Sequence, residues 1–76
     1  MKENIIELIE ERIRIKETLI KELLDDITGI FNNKNDNELG VNNIMKINSN
    51  TKIIEYTTIQ YLELTLLLSE LKKSDE

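Results

Sequence analysis

Few side chains in this sequence are equipped for chemistry, and most of those are carboxylates. Asp25 and Asp26 are adjacent, Glu7 and Glu11 stand four apart, and Glu63 and Glu70 stand seven apart. General acid–base work needs two such groups to converge on one substrate from environments that separate their proton affinities. Adjacent residues diverge on a helix, so Asp25 and Asp26 do not converge, and the two glutamate pairs lie on shared helix faces, where a solvated surface is the expectation. The chain has no His and no Cys. The commonest bases and nucleophiles are therefore missing, as are the usual transition-metal ligands and any disulfide.

Two further patterns suggest ligand sites and then fail on detail. Asn33, Asn35 and Asn37 alternate like the first ligands of a calcium loop. Glu38 occupies the place where that loop requires glycine, and no bidentate glutamate follows at its twelfth position. Gly29 and Gly40 are eleven apart with no phosphate-binding context around either. The expectation is a protein with no catalytic residue, no metal and no cofactor.

The elements that would position any functional residue are easier to read. Ile6, Ile9, Ile13, Lys16, Ile20, Leu23, Ile27 and Ile30 follow one another in steps of three and four. That is an a/d seam, and it predicts a long helix over about residues 2–31. Glu10 with Arg14, and Glu17 with Lys21, have the spacing of supporting ion pairs. Gly29 either sits in the helix at a cost of about 1 kcal/mol or ends it in a left-handed conformation. Residues 32–40, which include "NNKNDN", read as a polar, Asn-rich loop.

Beyond the loop, Val41, Ile44, Met45 and Ile47 suit a short helix at 41–47 or, less well, a strand. Ile54, Thr57, Tyr61, Leu64, Leu68 and Leu71 continue a second seam, which predicts a helix over about 51–73 capped by Ser49 or Asn50. Residues 74–76 are expected to fray. The fold expected is all-α: one small domain over residues 1–76, with its two main helices packed as an antiparallel hairpin.

A single seam does not account for all the apolar residues. Ile5, Leu8, Ile15 and Leu19 widen the first, while Ile59, Leu62 and Leu66 lie on another side of the second. A helix that touches two neighbours needs such a surplus; a simple two-stranded coil does not. The short middle segment is expected to cover part of it, and a second chain to complete a four-helix bundle. Lys16 is the one polar residue of the first seam. Its stem packs while its ammonium reaches water, or it selects register or partner, in which case an acidic group should face it. Tyr56 lies off the seam, and aromatic residues are enriched at binding hot spots. The candidate partner-binding residues are thus Ile5, Leu8, Ile15, Lys16, Leu19, Tyr56, Ile59, Leu62 and Leu66.

Composition narrows the partner class. Fifteen acidic against ten basic residues leave a net charge of −5, the wrong sign for a nucleic-acid or anionic-membrane surface. The longest apolar stretch, "LTLLL", is far too short to span a bilayer, and the charged N-terminus lacks the apolar run of a signal peptide. A cytoplasmic or other intracellular site is expected. So is a non-enzymatic interaction module, meaning an adaptor, assembly subunit or regulatory inhibitor that binds a copy of itself or a helical protein. The Ile-, Asn- and Lys-rich, Ala-poor composition resembles that encoded by AT-rich DNA. It motivates an alternative: a small transcriptional regulator, or an acidic inhibitor that mimics nucleic acid, from a phage or another mobile element.

Overall fold

A computed structural model describes residues 2–32 and 40–74. Two α-helices, α1 (Lys2–Asn32) and α2 (Val41–Lys73), pack against each other. Cross-helix bonds fix their direction. Lys2 Nζ donates to Ser74 Oγ at the open end, and Asn50 Nδ2 donates to the Leu23 carbonyl oxygen at 3.5 Å towards the loop end. The helices therefore run antiparallel, as a hairpin. The result is a rod of 57 × 15 × 15 Å with a radius of gyration of 17.2 Å, against roughly 11 Å for a globule of this length.

The first seam lies where its spacing places it. Every one of its positions is at least half-buried, and Ile9, at 6% exposure, is the one buried apolar residue among those described. In α2, Ile54, Thr57, Tyr61, Leu64, Leu68 and Leu71 all turn inward. The seam also extends back through Asn50 to Ile47. Thr57 is 2% exposed and Asn50 8%.

Two expectations are corrected. Residues 41–47 and 51–73 are not separate helices: α2 is continuous over 33 residues and begins after Gly40, whose carbonyl accepts from the Ile44 N–H at 3.0 Å. Ser49 and Asn50 resemble a cap in sequence because their side chains often compete for backbone bonds. Here Asn50 points into the seam and finds its acceptor on the other helix. Thr51 Oγ1 donates back to the Ile47 carbonyl at 2.8 Å within an unbroken helix. It follows that the 41–47 segment lies along the same rod and does not fold over the Ile59, Leu62, Leu66 side.

Of the two conformations open to Gly29, the helical one holds: it has no positive φ, and α1 continues to Asn32. The second correction concerns ion pairs. Arg14 pairs with Glu11 instead of Glu10. Glu10 reaches across to Lys72 at 3.5 Å, and Glu17 and Lys21 make no pair among the described residues. Most of the expected Asn-rich loop, with its calcium-like spacing, and the last two residues of the expected frayed tail lie outside the described residues.

Candidate interaction surface

Heptad geometry divides the rod into sides. Leu8, Glu11, Arg12, Ile15 and Lys16 of α1 line one open groove with Gln60, Glu63 and Leu64 of α2, about 630 Å³ in volume. Ile5 and Leu19 stand one heptad either side of Arg12. Ile53 and Leu67 stand likewise about Gln60, and Tyr56 precedes Glu63 by seven. All of them therefore belong to the groove side. Ile5, Leu8, Ile15, Ile53, Tyr56 and Leu67 are exposed there, Tyr56 at 64%, while Leu19 is half-buried.

The opposite side carries the Glu10–Lys72 pair. By the same spacing Leu24, Phe31 and Ile44 fall on it towards the loop, and all three are exposed. On the back of α2, turned away from α1, Ile59, Leu62 and Leu66 form an exposed ridge, with Leu66 at 66%. The nine candidate residues thus separate into a groove side (Ile5, Leu8, Ile15, Lys16, Leu19 and Tyr56) and a back ridge. Sequence reasoning missed Ile53 and Leu67, although their distance of seven from Gln60 would have placed them once the second seam was extended. It also missed the loop-end cluster of Leu24, Phe31 and Ile44.

Lys16 is half-buried at the groove's edge, and no acidic group among the described residues pairs with it. The back of α1 mixes both signs, through Glu7, Arg14, Thr18, Lys21 and Asp25, with Glu11 between it and the groove. Among the described residues no cluster of three acidic side chains could hold a metal, and no helix is long and apolar enough to cross a membrane.

Chemically the surface offers apolar contact edged by charge. Monomeric proteins rarely expose contiguous apolar patches larger than a few hundred Å². In this rod α2 is apolar on its seam, its groove side and its back alike. A helix with apolar residues on three sides has more apolar surface than one neighbour can cover.

The class defined at this level is an antiparallel two-helix hairpin with unpartnered apolar faces. No family model, curated protein or solved structure matches the chain.

Proposed function

We propose that this protein is a non-enzymatic protein–protein interaction module that acts through its apolar helix faces, as an adaptor, assembly subunit or regulatory inhibitor. One observation carries the reading: among the described residues the hairpin buries a single apolar side chain, Ile9, and leaves fourteen large apolar residues exposed. A chain this small without disulfide or metal gains little from one seam, so added burial against another chain supplies what the monomer lacks. The Ile59, Leu62, Leu66 ridge is the surface for a helical partner protein, which would lay an apolar stripe along it. The groove side provides a second contact. The mixed signs on the back of α1, where Arg14 and Lys21 interrupt the carboxylates, favour this reading over an acidic nucleic-acid mimic, which needs carboxylates in rows.

The test compares tagged wild-type chain with the Leu62→Glu, Leu66→Glu variant, both recovered from the cells that make the protein. Mass and composition are read by light scattering and mass spectrometry. The expected result is a wild-type assembly larger than two copies, or one holding a second protein, that the variant loses while keeping its helicity. Equal mass and composition for the two chains would remove the ridge from the function.

A further inference from the structure

We infer that the groove side is occupied by a second copy of this chain, related by a two-fold axis parallel to the rod, so that α1 of each copy lies on α2 of the other. The inference rests on the interaction-module reading and names one partner within it. Size is the first argument. The rod's broad side, 57 by 15 Å, presents roughly 850 Å², close to the ~800 Å² per partner of a standard stable interface. Its layout is the second. Exposed Ile5, Leu8 and Ile15 of α1, with Ile53, Tyr56 and Leu67 of α2, lie around the charged positions Arg12 and Glu63, and Glu22 and Asp26 of α1, with Lys46 and Ser49 of α2, follow towards the loop. Aromatic residues and arginine are enriched at interfaces.

Charge supplies the third argument and selects the axis. Arg12 and Glu63 line the same stretch of the groove, one on each helix. Rotation about the rod keeps every residue at its height and exchanges the helices. Arg12 then meets Glu63 of the second copy, and Glu63 meets Arg12. Leu8 comes to the height of Leu67, Ile15 to that of Gln60, and Leu19 to that of Tyr56. A two-fold perpendicular to the rod and centred on it would stack α1 on α1 in reverse and bring Lys16, near the middle of α1, towards its own counterpart, a repulsive arrangement. A self-complementary surface is what a two-fold dimer requires.

The test uses full-length chains carrying Arg12→Glu or Glu63→Arg, alone and mixed. Both positions are exposed in the hairpin, so neither change disturbs its seam. Wild type is expected to remain dimeric on dilution by light scattering. Each variant alone opposes like charges twice and is expected to dimerise at least tenfold more weakly. An equimolar mixture restores both oppositely charged contacts, so native mass spectrometry should find the heterodimer in excess of either homodimer. As a second measurement, Leu8→Cys chains should form disulfides with Leu67→Cys chains more readily than with themselves. A monomeric wild type, a mixture with no preference for the heterodimer, or a Lys16→Cys chain that readily cross-links to itself would overturn the inference. None of those outcomes touches the ridge, whose variant tests the broader function separately.

Discussion

Asn50 provides a test in which two accounts of α2 differ in sign. If residues 49–51 began a helix, Asn50 would cap it, and replacement by Leu would cost about 0.5–2 kcal/mol. In the continuous helix Asn50 occupies a seam position at 8% exposure, with its amide 3.5 Å from the Leu23 carbonyl. Losing that bond costs about 1 kcal/mol. The carbonyl is not orphaned, because it still has its acceptor place in the α1 backbone ladder. Against this, a nearly buried leucine contributes about 1.5–3 kcal/mol, and its helix propensity adds a few tenths. Asn50→Leu should therefore stabilise the hairpin by about 1–2 kcal/mol. In a domain of this size each kcal/mol raises Tm by about 4–8 °C. Far-UV circular dichroism through a thermal ramp reads this directly. Chain concentration must be held fixed, because association shifts apparent stability. A fall in Tm would refute the continuous-seam account and restore a break near residue 50.

Gly29→Ala should also stabilise, by about 1 kcal/mol, because the position is helical and a Cβ there would meet nothing within 4 Å; a urea midpoint unchanged or lowered would contradict this. Ile9→Ala truncates the one buried apolar side chain among the described residues, a change that costs about 2–5 kcal/mol, comparable to all that a core of this size supplies. The variant should lose most of its helical signal at 25 °C, and retention of wild-type ellipticity would show that the seam is not where stability resides.

Both seams are legible in the sequence because steps of three and four, kept up over several turns, arise almost only where a helix packs along one stripe. Ile6 to Ile30 and Ile54 to Leu71 all turn inward. The segment between the loop and Thr51 is harder to read because Asn and Ser carry two meanings. Locally they compete with the helix, and across an interface they can bond to another element; only the position of Leu23 distinguishes the two. The ion pairs differ from expectation for a similar reason. Spacing along one helix proposes Glu10 with Arg14, whereas Lys72 reaches Glu10 from a residue sixty-two positions away. The surplus at Ile59, Leu62 and Leu66 is visible as surplus. Its division into a groove side and a back ridge requires the pairing of the helices, and nothing in an apolar stripe spells out the shape that covers it.

The hydrogen bond between Lys2 and Ser74 places both ends of the described chain at one tip of the rod, and this decides how the hairpin answers to load. Tension applied through those ends peels α1 from α2 one layer at a time, starting at Ile6 and Leu71 and moving towards the loop. The layers never share the strain, as they would if pulled from opposite tips in shear. A single hairpin of this shape is therefore mechanically soft along its own termini, whatever its stability at rest. A second copy laid across the groove would join α1 to a helix of the other chain, so the peeling front would have to break that contact as well.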